Sequence, residues 1–67
     1  MTNNNSIVPI GTDWVHYKNN KTYTIIGHCL LQSNNTWVDA IIYKTIDSDL
    51  TFVRDQVDFI TKFKIKK

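Results

Sequence analysis

Apolar and polar residues alternate along most of this chain, in short stretches separated by polar turns. The longest stretch, 22–31, carries apolar residues on both of its faces. Such a strand must be covered on both sides, as happens when it bends from one sheet layer into another. Gly27 lies at the middle of this stretch, where the missing Cβ permits a bulge or a sharp bend. The pattern therefore predicts a long, strongly bent second strand.

Four further stretches have the two-residue period of half-buried strands. We expect these strands at 13–18, 37–45, 51–54 and 59–65. The residues between them are rich in Asn, Asp and Ser, whose side chains hydrogen-bond the local backbone and favour tight turns. Residues 55–58 are too few for a helix and predict a single 3₁₀ turn.

Five short strands in so small a chain bury their apolar faces when the sheet closes on itself. The expected fold is all-β, a small five-stranded SH3-like barrel with a strongly bent second strand; an OB-like barrel is the alternative. The domain is expected at 13–65, between a flexible N-terminal arm at 1–12 and a basic C-terminal end at 66–67. The predicted core consists of Val15, Tyr23, Ile25, Ile41, Val53, Phe59 and one or both of Trp14 and Trp37.

Composition supports the all-β prediction. Twenty-two of the 67 residues are Ile, Thr or Val, while the chain has one Ala, three Leu and no Glu. β-Branched side chains lose rotamer freedom in a helix and pack well on a pleated surface, which argues against a helical bundle. The length excludes a multidomain enzyme, since a domain near 60 residues buries only about 60% of its unfolded surface.

The net charge of +2 is too small to indicate a nucleic-acid partner by itself. Its distribution is uneven, because Lys62, Lys64, Lys66 and Lys67 all lie within the last six residues. Lysines on an edge strand discourage pairing with other chains. A strip of lysines is also suited to contacting phosphates, so both interpretations stay open.

The cysteine content and the N-terminal residues indicate in which cellular compartment the protein is expected. The single cysteine, Cys29, makes no internal disulfide and is expected to pack as a small apolar residue. The first six residues have no signal-peptide pattern, and no apolar run is long enough to span a bilayer. We therefore expect a cytoplasmic protein with no membrane partner. Ile, Asn and Lys total 23 residues, a bias typical of AT-rich coding genomes, including those of many phages.

Three segments of the chain form a recognisable series. They are 16–27 (HYKNNKTYTIIG), 41–44 (IIYK) and 52–54 (FVR) followed by Phe59. In order and spacing they resemble segments of the bacterial and phage domain-of-unknown-function family 1653. The family versions read Tyr-Arg-His-Phe/Tyr-Lys-Gly-x-x-Tyr-x-Val-hydrophobic-Gly, Val-Val-Tyr and Trp-Val-Arg-Pro-x-x-Met-Phe. The resemblance covers about 14–63 and implies a small, mostly β, single-domain protein.

The chain departs from the family in the third segment. Asp55 stands in place of the family's Pro, and Asp58 in place of its Met. Of the family's Arg-Pro-x-x-Met-Phe turn, Arg54 and Phe59 therefore remain. The family implies no established activity, so the resemblance bears on the fold more than on the function.

No arrangement of nucleophile, acid and base stands out, so we expect no enzyme, no catalytic residues and no cofactor. The adjacent His28 and Cys29 point to opposite faces of a strand, which predicts no metal site. His16 and Lys18 are expected on one face of the first strand, as exposed polar groups or as contacts to an anion. Arg54 is expected in a structural ion pair, or in contact with an anionic ligand or a partner's carboxylate.

Eight aromatic residues are more than so small an interior hides, and packing accounts for five or six of them. A barrel of this size cannot fully bury all five of the following aromatic residues: Trp14, Tyr17, Trp37, Tyr43 and Phe52. The surplus near Trp14, Tyr17 and Trp37 is a candidate binding face, because exposed aromatic side chains stack on bases or anchor peptides. The candidate binding residues are Trp14, His16, Tyr17, Lys18, Trp37 and Arg54.

These features favour a non-enzymatic binding module that recognises a protein partner or a small ligand. If the chain is phage-encoded, the partner could be a host factor. The alternative is a nucleic-acid-binding domain in which Lys62, Lys64, Lys66 and Lys67 contact phosphates. A homodimer is compatible with both, since a small barrel can leave strand edges unpaired.

Overall fold

The computed structural model of the chain describes residues 8–66. Its elements are β1 (Asp13–His16), β2 (Thr22–Ser33), β3 (Thr36–Thr45), β4 (Thr51–Asp55), α1 (Gln56–Lys62) and β5 (Phe63–Ile65). The strands form one antiparallel sheet in the order β4-β3-β2-β1-β5. Strands β1 to β4 are therefore a meander, and β5 returns to lie beside β1. The prediction of a mostly β fold with five strands is confirmed.

The sheet is not closed into a barrel. Its two edge strands, β4 and β5, form no ladder with each other in the part of the chain that the structure describes. Instead α1 packs against β3, β4 and β5 and places Phe59 in the core. The helix thus covers the face that closure was expected to cover, and the predicted SH3-like or OB-like closure is not confirmed.

The 3₁₀ turn predicted at 55–58 is wrong, because α1 begins there, and the fifth strand is correspondingly shorter than predicted. The Asp55 carboxylate caps the helix by accepting the backbone N–H of Asp58 at 3.0 Å. Asp58 also pairs with Arg54 and Lys62, each four residues away, at 2.7 and 3.1 Å. A cap and two such pairs stabilise a helix too short to form by propensity alone. With seven residues, the helix of the described region is far shorter than a membrane span.

A bulge interrupts β2 where the sequence predicted one. The register with β3 shifts between Ile25 and Gly27, which leaves Ile26 without a partner on β3. Before the bulge, odd-numbered residues such as Ile25 face the core. After it, even-numbered residues such as His28, which pairs with the buried Ile41, share that face. The bulge thus explains why the second strand is apolar at both parities.

Gly27 itself is not required by the backbone of this bulge. Its φ is not positive, and an added Cβ would meet Ile42 Cδ1 at 3.5 Å, an ordinary contact. We expect Gly27→Ala to change the free energy of unfolding by less than about 1 kcal/mol, measured by urea denaturation. Gly11→Ala is the matched control, because a φ of +91° strains any side chain there, at a cost of about 1 kcal/mol or more. A larger loss for Gly27→Ala than for Gly11→Ala would show that the bulge needs glycine.

The hydrophobic core lies between the sheet and α1. It contains Val8, Trp14, Tyr23, Ile25, Ile41, Tyr43, Phe59 and Phe63. Two predicted core residues differ from expectation. Val15 is only half-buried. Val53 is exposed, because it pairs with Ile42 on an edge strand, on the face away from Phe59. The other predicted core residues, with Trp14 as the buried tryptophan, are confirmed.

The predicted arm at 1–12 falls partly on residues 1–7, which lie outside the described residues. Its described part contacts β2. Val8 is fully buried, and its carbonyl oxygen lies 2.6 Å from Nε2 of His28. Gly11 donates its N–H to the Ile25 carbonyl at 2.8 Å, and Ile25 donates its own to Thr12 at 3.0 Å. These hydrogen bonds continue the pairing of β1 with β2.

Candidate functional site

A cleft of about 180 Å³ opens where the five strands meet on the helix-covered face of the sheet. Every strand contributes a side chain, because the two-residue alternation brings matching residues of neighbouring strands to the same face. The lining residues are His16, Asn19, Tyr23, Tyr43, Phe52, Arg54 and Phe63. We call this depression the Arg54 cleft.

Its walls are aromatic rings that pack mostly edge to face. The Tyr43 ring lies 5.4 Å from Tyr23, 5.3 Å from Phe63 and 5.6 Å from Phe52, between centroids. Three of these rings are buried and belong to the core, whereas Phe52 is exposed. Since core packing fixes the rings in orientation, the cleft has a rigid wall and one accessible aromatic edge.

Arg54 is held in place from three directions. Its Nε donates to Tyr43 Oη at 3.1 Å, and its Nη1 donates to Asp58 Oδ2 at 2.7 Å. The guanidinium carbon lies 5.6 Å from the centroid of the Phe63 ring, within the range of a cation–π contact. The hydrogen bond to Tyr43, opposed by burial and reinforced by Asp58, raises the pKa of Arg54. The structural ion pair predicted from the sequence is confirmed.

This arrangement leaves donor capacity on the guanidinium. Within residues 8–66, the hydrogen bonds of Arg54 use Nε and Nη1, whereas a guanidinium has five N–H donors in a planar fork. Asp58 also binds Lys62, and the hydrogen bonds from Arg54 and then Lys62 lower its pKa. One carboxylate therefore faces two cations, so the rim of the cleft carries a net positive charge.

His16 forms the opposite side of the cleft. Its ring meets Phe63 edge-on at 4.6 Å and stacks on Tyr17 at 5.6 Å, with planes 6° apart. Nδ1 of His16 accepts the backbone N–H of Lys18 at 3.1 Å. In the neutral ring the proton therefore lies on Nε2, which makes that nitrogen a donor.

Burial is the main cause of a lowered pKa at His16, followed by the positive charges of Arg54, Lys18 and Lys62. The pKa of His16 in the folded protein lies below the ordinary value of 6.5. At a pH between these two pKa values, the unfolded chain therefore binds the proton more readily than the folded protein does. We expect this contribution to stability to be complete above pH 6.5 and lost as the pH falls through the folded pKa. Urea denaturation from neutral pH downward should show a steeper decline in the wild type than in His16→Gln. The same decline in both proteins would contradict this assignment.

The structure brings together some of the residues proposed from the sequence. His16 and Arg54 line the cleft, and Tyr17 is exposed beside His16. Trp37 is 60% exposed but lies at the far end of the β2–β3 hairpin. Trp14 is 7% exposed, so it belongs to the core and not to an accessible face. The exposed aromatic residues therefore do not form one continuous surface.

The basic residues are also distributed differently from expectation. Lys18 does not share a face of the first strand with His16, because β1 ends at His16 and Lys18 lies in the following turn. Lys62 pairs with Asp58, whereas Lys64 and Lys66 are exposed on or just after β5. Lys67 lies outside the described residues.

Sequence reasoning missed most of the cleft lining. The missed residues are Asn19, Tyr23, Tyr43, Phe52 and Phe63. The spacing of Phe52 and Arg54, two residues apart in one strand, indicates a shared face and was an available signal. The predicted count of five or six packed aromatic residues is confirmed, since five of the eight are buried. The accessible ones are Phe52, Tyr17 and Trp37.

Neither a metal site nor a known relative indicates the function of the protein. Within residues 8–66, no group of three His, Cys, Asp or Glu side chains is placed to hold a metal ion. No family model matches the chain, and comparison with curated proteins and with solved structures gives no match. The resemblance to family 1653 stays a prediction from the sequence.

Proposed function

We propose that this protein is a non-enzymatic binding module that holds a protein partner in the Arg54 cleft. The observation that carries the proposal is a guanidinium fixed by Tyr43 and Asp58 within a wall of aromatic rings. Among the described residues, the lining contains one imidazole, that of His16, but no carboxylate, thiol or aliphatic hydroxyl to act with it. Such a lining favours recognition over catalysis.

The size of the cleft favours a side chain over a whole small molecule. A volume of about 180 Å³ is close to the roughly 150 Å³ of a cavity that binds benzene. It is smaller than the roughly 300–1,000 Å³ of pockets that take drug-sized ligands or cofactors. The occupant is therefore a single ring-sized group, such as a side chain presented by a protein partner. A free small ligand with a ring of that size is the second-ranked occupant of the cleft.

The charge of the rim indicates what accompanies that group. Arg54 and Lys62 face a single carboxylate, that of Asp58. A planar guanidinium with donors to spare binds carboxylates in a fork geometry. The partner segment therefore places a carboxylate next to a flat apolar side chain. If the chain comes from a phage, the segment belongs to a host factor.

Nucleic-acid binding is the second candidate. Lys64 and Lys66 are exposed and could contact phosphates, while a base could stack in the cleft. It ranks second because Lys62 is engaged by Asp58, which leaves fewer cations for a phosphate strip. Affinity that falls steeply with salt, for an oligonucleotide and not for a peptide, would favour it.

The strand order supports a finer description of the fold. A meander with β5 returned beside β1 is compatible with an SH3-like barrel opened between β4 and β5. We propose an SH3-like relation on this order and on the resemblance to family 1653. The cytoplasmic location and the bacterial or phage source stay predictions from the sequence.

N-acetylphenylalanine is a suitable probe, because it places a carboxylate beside a phenyl ring. At about 0.3 kcal/mol for each of its roughly 15 non-hydrogen atoms, we expect a dissociation constant on the order of 1 mM. Phe52→Ala removes the accessible wall of the cleft and should weaken binding about fivefold in an NMR titration. Trp37→Ala, which removes a more exposed ring at the hairpin end, should leave it unchanged. Equal losses in the two variants would place the site elsewhere.

A further inference from the structure

The end of the β2–β3 hairpin stands apart from the rest of the sheet. Strand β1 pairs with β2 at Thr22, Tyr23 and Thr24, and β4 pairs with β3 from Ala40 onward. Residues 29–33 and 36–39 pair with each other, and neither segment has a second strand beside it within the described residues. We call 29–39 the distal hairpin. A two-stranded ribbon is at best marginally stable in water without further packing.

Both faces of the distal hairpin expose apolar side chains. Leu30 is 61% exposed and Leu31 is 38% exposed, and as consecutive residues of one strand they point to opposite faces. Trp37 pairs with Gln32, so it lies on the same face as Leu30. Exposed apolar residues on both sides of an unsupported ribbon indicate a surface that is covered in an assembly.

The edges of the sheet differ in their protection against other chains. Edge strand β4 carries Arg54 and Asp55, and Lys64 lies in edge strand β5. Charged side chains on an edge discourage pairing with a second chain. In contrast, β2 contains no charged residue over its twelve positions. The edge at 29–33 therefore lacks the protection found at the two outer strands.

We propose that this edge forms a homodimer, in which 29–31 of one copy pairs antiparallel with 29–31 of a second copy. A two-fold axis through Leu30 keeps each residue opposite one of the same parity, so cross-strand neighbours share a face. Leu30 then meets Leu30 of the second copy, and Cys29 meets its Leu31. Apolar residues face apolar residues on both sides of the joined sheet.

The occupant is a second copy because the segment is complementary to itself. The edge strand carries no charge and has apolar side chains on both faces. It therefore fits a partner strand with the same properties, and the same segment of a second copy is such a strand. The interface is short, with three paired residues in each strand, and belongs to the class below about 1,200 Å² that gives weak, reversible complexes. The dimer is therefore expected to depend on concentration, with a dissociation constant on the order of 100 µM.

Sedimentation of the full chain between about 10 µM and about 1 mM spans that range and tests the proposal. We expect the apparent mass to rise from 7.8 kDa towards twice that value. Leu30→Lys puts a charge at the centre of the pairing and should weaken the dimer at least tenfold. Val57→Lys adds the same charge at a 71% exposed position of α1 and should leave the dimer unchanged. Far-UV circular dichroism verifies that both variants are folded.

Cys29, the single cysteine, gives a second readout. In the register centred on Leu30, the two Cys29 side chains are diagonal neighbours about 7–8 Å apart, so a short bismaleimide should link them. Leu30→Lys should abolish the link, and Cys29→Ser is the blank. A chain that stays monomeric, or a dimer that Leu30→Lys leaves intact, would overturn the proposal. So would a monomer whose amides at 29–33 exchange slowly, because another part of the chain would then cover the edge.

Discussion

Phe59→Ala is expected to lower the free energy of unfolding by about 3–5 kcal/mol, because it removes a ring at the centre of the core. The ring is fully buried and stacks on Phe63 at 4.0 Å. It also meets Trp14 at 5.4 Å and Tyr43 at 5.1 Å, both edge to face. A single core in a chain of this length rarely supplies more than about 3–5 kcal/mol, so the variant should be largely unfolded in urea-free buffer at 25 °C.

Val57→Ala is the matched control for that experiment. Val57 lies on the same helix but is exposed, so its truncation should change stability by no more than about 0.5 kcal/mol. Phe59→Leu, which keeps most of the apolar volume, should lose about 1 kcal/mol and gives a folded variant for urea denaturation. A loss below about 1 kcal/mol for Phe59→Ala would mean that α1 is not docked on the sheet as described.

Arg54→Gln is expected to weaken the binding of N-acetylphenylalanine about tenfold. A hydrogen bond to a charged group contributes about 1.5–3 kcal/mol, and the lower end applies because the side chain is part-exposed. Glutamine retains an N–H donor but not the positive charge. The amide derivative of the probe lacks the carboxylate, so it should bind wild type and variant equally weakly. NMR titration of both probes against both proteins measures the difference.

Two control variants distinguish a direct contact between Arg54 and the probe from a role of Arg54 in stabilising the fold. Lys66→Gln removes the same charge from an exposed site outside the cleft and should change affinity by less than about twofold. Asp58→Asn removes the carboxylate that pairs with Arg54 but leaves the guanidinium in the cleft. If Asp58→Asn weakens binding as much as Arg54→Gln, then Arg54 acts through the helix and not on the ligand.

Local pattern predicted the strands well and the helix not at all. The sequence alternates from Phe59 onward, which predicts a strand, but the residues from Arg54 to Lys62 also follow a helical spacing. Arg54, Asp58 and Lys62 are each four residues apart, which places them on one side of a helix, and Asp55 caps it. Two periodicities compete over the same seven residues, and the helical one prevails because Phe59 reaches the core from it.

The cleft depends on contacts that no local pattern contains. The sequence indicates both His16 and Arg54 as candidate binding residues, but 38 positions separate them. They meet because β5 returns to β1 while β4 follows β3, and this places Phe63 between the two side chains. Trp37 drew attention as a surplus aromatic residue, yet the length of β2 and β3 carries it to the opposite end. The residue types were predictable, and their grouping followed from long-range strand pairing.

The central claim is that the Arg54 cleft is the binding site, and an amide shift map of the wild-type protein tests it most directly. On titration with N-acetylphenylalanine, we expect saturable shifts at the backbone amides of His16, Tyr43, Arg54 and Phe63, and much smaller ones with the amide derivative. The absence of saturable shifts up to about 10 mM, roughly ten times the expected dissociation constant, would contradict the claim. Shifts confined to Lys64 and Lys66 or to the distal hairpin would contradict it equally.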